Sequence, residues 1–161
     1  LDNRRGEWWL LAQLLLITAH LLPPWPAHAD WGLDIWPRPV FIVGVLLLLS
    51  GFGVAAQAFA ALGSSLSPLP EAKQGNRLIC QGPYQRCRHP MYQAVLLCSL
   101  GVALAIGSLL HLLLLLGLMA VLGGKARREE RSLLLLHPDY AAYRSRTPAI
   151  APGLPWLDWR D

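Results

Sequence analysis

One uncharged run in the first half of the chain constrains its fold more than any other feature. Residues Pro39 to Leu62 contain no Asp, Glu, Lys or Arg across 24 positions, and Leu, Ala and Val dominate the run. With a rise of about 1.5 Å per residue, a helix of this length can cross the ~30 Å hydrocarbon core of a bilayer. The run therefore predicts a transmembrane helix.

Two further apolar stretches extend this pattern to most of the chain. Trp8 to Leu22 carries no charge, and Met91 to Gly124 would be ~50 Å long as one helix, which exceeds any bilayer core. We expect the second stretch to form two helices that turn near Gly107 and Ser108. Because 54% of the 161 residues are hydrophobic and only 15% are charged, the predicted fold is an all-α, polytopic membrane bundle. It has about four transmembrane helices and a C-terminal helical hairpin.

The basic residues predict how this bundle is oriented. Of the 14 Lys and Arg residues, two precede the first apolar stretch, four lie between Gly63 and Pro90, and seven follow Gly124. The positive-inside rule places both termini and the 63–90 loop on the cytoplasmic side of an integral, multi-pass membrane protein. Topology and contact with anionic membrane lipids explain the net charge of +4, so we expect no nucleic acid partner.

A chain of this length fits a single domain, residues 1–161. We expect residues 1–62 to form scaffold helices, in which Gly and Ala allow close packing, and residues 63–161 to carry the cofactor and substrate region. Beyond Gly124, the pattern of charges and leucines predicts a cytoplasmic amphipathic helix that Pro138 interrupts. The proline-rich stretch from Thr147 to Pro155 predicts an irregular segment.

Two polar clusters, Asn76 to Tyr92 and Lys125 to Arg131, are predicted on the same side of the membrane. The helical hairpin would bring Glu129 and Glu130 close to His89 and Tyr92. Carboxylates and tyrosines suit a ligand with an amino group, a ribose and a cationic centre, and the cations suit an anionic substrate. On spacing alone, interfacial aromatic anchors, lipid-contacting arginines and a solvated helix explain the same residues.

The cysteines indicate neither a disulfide nor a metal site. Cys80 and Cys87 fall in a loop that the charges place in the reducing compartment, and Cys98 lies within a helix. Cys80, Cys87 and His89 match no common zinc spacing, and a fourth ligand is missing. We therefore expect no metal.

Two motifs in this order resemble a known superfamily. The sequence "GPYQRCRHPMYQA", followed beyond the hairpin by "REERSLLLLHPDYAAYRSRTP", resembles the isoprenylcysteine carboxyl methyltransferase and phospholipid methyltransferase superfamily. Its members are membrane enzymes that use S-adenosylmethionine. The resemblance covers roughly Asn76 to Pro148.

The resemblance implies roles for particular residues. The implied cofactor-binding residues are Asn76, Arg77, Leu78, Ile79, Tyr84, His89, Pro90, Met91, Tyr92 and Glu129. The implied catalytic, substrate-side residues are Arg88, Lys125 and Glu130. Lys125 stands where the family has Arg, and Lys cannot reproduce the bidentate grip of Arg on a carboxylate.

The implied function is S-adenosylmethionine-dependent methyl transfer to a lipophilic, membrane-embedded acceptor at the cytoplasmic face. The acceptor group stays open between a carboxylate, an amine and a thiol, and an amine would need a base such as His89 or Glu130. Two alternatives are an NADPH-dependent membrane reductase related to sterol reductases and a non-catalytic membrane scaffold protein. The sequence leaves the oligomeric state open.

Overall fold

A computed structural model describes residues 6–26, 28–32, 35–63 and 78–160, and these ranges contain helices and no β-strand. The five α-helices are α1 (Glu7–Ala19), α2 (Arg38–Leu62), α3 (Pro90–Ile106), α4 (Leu109–Leu136) and α5 (Tyr140–Arg146). One-turn 3-10 helices, His28–Trp31 and Gly82–Gln85, lie in two of the connections. The predicted all-α class is confirmed.

Two of the helices are long and apolar enough to cross a membrane. These are α2, with 25 residues and a mean hydropathy of 2.3, and α4, with 28 residues and a mean hydropathy of 2.0. Helices α1 and α3 are shorter, with 13 and 17 residues. The count of about four spans and the cytoplasmic placement of both termini therefore stay predictions.

The turn between α3 and α4 lies where the sequence predicts it. Helix α3 ends at Ile106 and is capped by Gly107, whose φ of 61° is a left-handed conformation that glycine adopts without strain. A Cβ atom at this position would lie 2.8 Å from the ring of Trp36, whose indole donates to the carbonyl of Leu104 at 2.7 Å. At its other end, α4 stops at Leu136, just before Pro138. The hairpin thus returns the chain to the end of the bundle from which α3 begins.

Small residues let α2 and α3 approach backbone to backbone. A Cβ atom added to Gly44 would lie 2.6 Å from the backbone nitrogen of Ala105, and one added to Gly51 would meet Cys98 Sγ at 2.5 Å. The predicted packing role of small residues in α2 is confirmed at these two positions. Gly53 differs, since a Cβ atom there would have no neighbour within 4 Å among the described residues.

Residues 147–160 form an irregular segment that is part of the hydrophobic core. Its backbone carbonyls at Pro148 and Ala149 accept from the backbone N–H groups of Arg88 and His89, each at 2.9 Å. The core that it shares with α3 and α4 consists of Leu96, Leu118, Leu122, Ala126, Ala149, Ile150 and Leu157. The segment therefore closes over the junction of α3 and α4.

Candidate functional site

The candidate site lies where α3 begins and the charged part of α4 ends. Pro90 occupies the first turn of α3, where its fixed φ suits the helix and its missing N–H costs no hydrogen bond. His89 immediately precedes the helix, and Tyr92 lies in its first turn. Because α3 and α4 are joined by a tight turn, Glu129 and Glu130 on α4 face these residues.

Glu129 lies beside a stacked pair of rings. The Tyr92 hydroxyl donates to Glu129 Oε2 at 3.0 Å, and His89 Nδ1 lies 3.8 Å from the same oxygen. The His89 and Tyr92 rings are nearly parallel, with 2° between their planes and 5.3 Å between centroids. The Glu129 side chain is 29% exposed, so part of its carboxylate is accessible to a ligand.

Lys125 adds a cation to this group, one helical turn before Glu129. Its Nζ lies 5.2 Å from the centroid of the Tyr92 ring, within the range of a cation–π contact. The same Nζ donates to Gln13 Oε1 of α1 at 2.8 Å. Helix α1 can approach α4 here because Gly124 has no side chain. A Cβ atom at this position would overlap the Trp9 ring.

Glu130 is the buried centre of a second group. It accepts hydrogen bonds from Arg88 Nε at 2.8 Å, His89 Nε2 at 2.8 Å and Trp159 Nε1 at 2.7 Å. Since a carboxylate only accepts here, the Nε2 of His89 carries the proton. Only 3% of Glu130 is exposed, so this carboxylate orients His89 rather than meeting solvent.

Arg88 connects this group to the C-terminal segment. Its Nη1 donates to the carbonyls of Arg144 and Thr147, at 2.6 and 2.5 Å, and its Nη2 donates to the carbonyl of Trp159 at 2.6 Å. The side chain is fully buried. In this structure Arg88 therefore binds its own chain, and its predicted role toward an anionic acceptor stays a prediction.

Buried hydroxyls and a thiol complete the junction. The Tyr143 hydroxyl donates to the Tyr84 carbonyl at 2.5 Å, and burial raises the pKa of both phenols. The Cys87 thiol donates to the carbonyl of Ala149 at 3.1 Å, and burial raises its pKa to about 11. These groups remain protonated at neutral pH, and the Tyr143 hydroxyl and the Cys87 thiol act as hydrogen-bond donors, not as nucleophiles.

The structure thus brings together six of the thirteen predicted site residues. The ones that meet around the two carboxylates are Arg88, His89, Tyr92, Lys125 and Glu130, together with Glu129 itself. Tyr84 and Pro90 are buried beside them, and Leu78, Ile79 and Met91 are half-buried. Asn76 and Arg77 lie outside the described residues. The cofactor-binding and catalytic roles of all these residues stay predictions.

Sequence reasoning assigned no role to four residues of the junction, Arg127, Arg144, Trp156 and Trp159. Trp159 donates to Glu130, and Arg144 Nε lies 3.5 Å from Glu130 Oε2. The guanidinium of Arg127 lies 4.1 Å from the ring centroids of both Trp156 and Trp159. Two tryptophans in an irregular tail were the available signal, since large aromatic residues favour burial.

These features define an all-helical membrane protein with a polar, largely buried site where the ends of a helical hairpin meet. A profile of the phospholipid methyltransferase family matches residues 39–136, more than half of the chain, and the chain belongs to this family. The match includes Arg88 to Tyr92 and Lys125 to Glu130, and it ends before the C-terminal segment. The resemblance inferred from the sequence motifs is therefore confirmed, and the chain is a member of a methyltransferase family.

Two curated relatives resemble the chain along nearly its whole length. The cobalt-zinc-cadmium resistance protein CzcN of Cupriavidus metallidurans is 33% identical over 157 residues, which are 94% of this chain and 65% of that protein. The nickel-cobalt-cadmium resistance protein NccN of Alcaligenes xylosoxydans xylosoxydans is 27% identical over 153 residues, which are 94% of this chain and 66% of that protein. The chain therefore spans just under two thirds of the length of each relative.

Proposed function

We propose that the chain transfers a methyl group from S-adenosylmethionine to a lipophilic acceptor in the membrane, at the cytoplasmic face. The observation that carries this proposal is the partly exposed Glu129 carboxylate beside the stacked His89 and Tyr92 rings, in a member of a methyltransferase family. Membership alone would leave the position of the cofactor open. The geometry supports a particular place for it.

The donor set at Glu129 fits this cofactor. S-adenosylmethionine carries an amino group, ribose hydroxyls, a flat base and a sulfonium, and it supplies a methyl group bound to that positive sulfur. Glu129 offers a carboxylate that can accept from the amino group or the hydroxyls, and the aromatic rings beside it offer flat surfaces. Tyr84, Leu78 and Ile79 would extend the same surface toward the preceding loop.

The contribution of the chain is to bind, orient and exclude water. Methyl transfer is an in-line displacement that needs donor and acceptor close and aligned, and no covalent intermediate with the enzyme. The irregular segment 147–160 and α5 cover the buried side of the junction, which keeps water from the charged groups. The acceptor would approach from the lipid side, between the helices.

Within this proposal the three substrate-side residues have different tasks. Lys125, next to Tyr92, is the cation that would attract an anionic acceptor. Glu130 and Arg88 together fix the orientation of His89. Glu130 binds the His89 ring directly, and Arg88 holds the Glu130 carboxylate in place. If the acceptor is an amine, His89 is the candidate base, since its Nδ1 faces the partly exposed Glu129.

Calorimetric titration of the detergent-purified full chain with S-adenosylhomocysteine tests the proposal. Wild type is expected to bind saturably, and Glu129→Gln to bind at least about tenfold more weakly, because it loses a charged acceptor. Asp139→Asn, which neutralises an exposed carboxylate at the start of α5, is the matched control and should bind like wild type. Absence of S-adenosylhomocysteine binding by wild type, or binding of NADPH alone, would contradict the proposal and favour the scaffold or reductase alternative.

The same variants extend the test to cells. Because two relatives are named for resistance to metal ions, we extend the proposal to a role of this methyl transfer in metal resistance. In a bacterial strain that lacks the related protein, wild type and Asp139→Asn should restore growth on cadmium or cobalt salts, and Glu129→Gln should not. If the strain that carries Glu129→Gln grows as well as the strain that carries wild type, metal resistance does not depend on cofactor binding at Glu129.

A further inference from the structure

A cavity of about 250 Å³ lies on the side of Glu130 that faces away from Glu129. Its lining residues are Arg127, Glu130, Arg131, Leu134, Arg144 and Trp159. It belongs to the junction of α4, α5 and the C-terminal segment. None of its three arginines has a role in the methyl transfer proposed above.

The geometry of α4 separates this cavity from the cofactor surface. Successive residues of an α-helix are rotated by about 100°, so Lys125 and Glu129 share one face. Arg127, Arg131 and Leu134 lie on roughly the opposite face of the same helix. A ligand in the cavity would therefore not compete with one at Glu129.

The cavity has an excess of positive charge. Three arginines line it against one carboxylate, and Glu130 is already paired with Arg88 at 2.8 Å. The contact of Arg144 with the same carboxylate is longer, at 3.5 Å between Nε and Oε2. An anion in the cavity would face guanidinium groups whose charge Glu130 does not balance.

Two of the three arginines have unused donors, and aromatic rings hold one of these two in place. The Arg127 guanidinium lies between the Trp156 and Trp159 rings, at 4.1 Å from each centroid, so stacking covers its faces and leaves its N–H edges for hydrogen bonds. Among the described residues, Arg127 Nη1 and Arg144 Nε are buried and lack a hydrogen-bond partner. Buried donors without partners are costly, and an anion would supply the missing acceptors.

We propose that this cavity is an accessory binding site for a phosphate group. Phosphate offers several acceptor oxygens and up to two negative charges, and guanidinium groups bind it with paired, charge-assisted hydrogen bonds. Leu134 at the cavity wall is 37% exposed, so an apolar surface continues outward from the charged groups. The phosphate belongs either to a phospholipid headgroup or to a soluble phosphate compound, and the site does not depend on the methyl transfer.

Titration of the detergent-purified full chain with two probes tests this proposal and identifies the source. The probes are a short-chain phosphatidic acid and inorganic phosphate. Binding of the lipid alone assigns a headgroup site, and comparable binding of both assigns a site for soluble phosphate. If wild type binds neither probe, the proposal is wrong.

Two single-charge variants distinguish a built site from general attraction. Arg131→Gln removes an exposed arginine of the cavity, and Arg86→Gln removes an exposed arginine of the loop before α3. Arg131→Gln should weaken probe binding about tenfold or more, and Arg86→Gln should leave it within about twofold of wild type. Equal weakening by both variants would overturn the proposal. Protection of the buried Cys87 thiol from alkylation shows that each variant is folded, independently of cofactor binding.

Discussion

Replacing Glu130 with Gln should release the C-terminal segment from the helical hairpin. Glu130 is the buried acceptor for Arg88, His89 and Trp159, and Arg88 in turn binds three carbonyls from residues 144–159. The substitution preserves the shape of the side chain and removes its charge. Glu129→Gln makes the same change one residue away, at a partly exposed carboxylate, and is the matched control.

The magnitude follows from the contacts that each carboxylate makes. Each oxygen of Glu130 accepts at least two hydrogen bonds, so the amide nitrogen of Gln must face two or more donors in either orientation. Arg88 would also lose the counter-charge for its buried guanidinium, and breaking a buried pair in this way costs about 3–5 kcal/mol. Glu129 loses one hydrogen bond from Tyr92, which is worth about 1 kcal/mol.

Alkylation of Cys87 measures this release directly. The thiol is 2% exposed and donates to the carbonyl of Ala149, so it reacts only when the segment opens. Because its pKa is raised to about 11 by burial, the closed form is also poorly nucleophilic. With Cys80 and Cys98 replaced by Ser, a loss of ~3 kcal/mol should raise the alkylation rate at pH 8 by about 100-fold.

The comparison between the two variants decides the outcome. Glu129→Gln should change the alkylation rate by about fivefold at most, since it leaves Glu130 intact. If Glu130→Gln reacts no faster than Glu129→Gln, Glu130 does not hold the C-terminal segment, and the reasoning from buried charge is refuted.

Two further predictions concern helix packing and pH. Gly44→Ala should lower the stability to thermal unfolding in detergent by about 1–3 kcal/mol, because its Cβ would lie 2.6 Å from the backbone of Ala105. Gly53→Ala adds a Cβ atom that meets nothing within 4 Å among the described residues, so it should be neutral or stabilise the protein by up to about 1 kcal/mol. Equal losses of stability in the two variants would contradict the close-packing argument. The Cys87 pKa rises from 9.0 to about 11 on folding, so the folded state keeps its proton longer and stability should fall as pH rises between these values, by roughly 1.4 kcal/mol per unit. Unfolding measured across this pH range should show a shallower decline for Cys87→Ala, and identical pH profiles would show that the thiol does not contribute.

The sequence predicted those parts of the fold that depend on side-chain pattern. Apolar length indicated α2 and the hairpin, Gly107 indicated its turn, and Pro138 indicated the end of α4. The hairpin geometry then predicted that Glu129 and Glu130 would lie near His89 and Tyr92, as they do. Each inference used the spacing of apolar residues, a helix-breaking residue or the length of an apolar segment, and all three can be read from the sequence.

The C-terminal segment could not be predicted in the same way. Residues 147–160 have no helical or strand periodicity, and their proline content indicates only irregular structure. Their main contacts with Arg88 are made by backbone carbonyls, at Thr147 and Trp159, and every residue type carries a carbonyl. The sequence therefore carried no signal that Arg88 would bind its own chain.

The arrangement around Arg88 also sets an order of assembly. Arg88 lies near the middle of the chain, and three of its hydrogen-bond acceptors are carbonyls of residues 144, 147 and 159. While the chain is being synthesised, α3 and all of α4 precede these partners, so the Arg88 guanidinium cannot complete its set of acceptors until residue 159 has been added. The helical hairpin can therefore form before the junction does, and the polar site closes only after residues 144–159 have joined it.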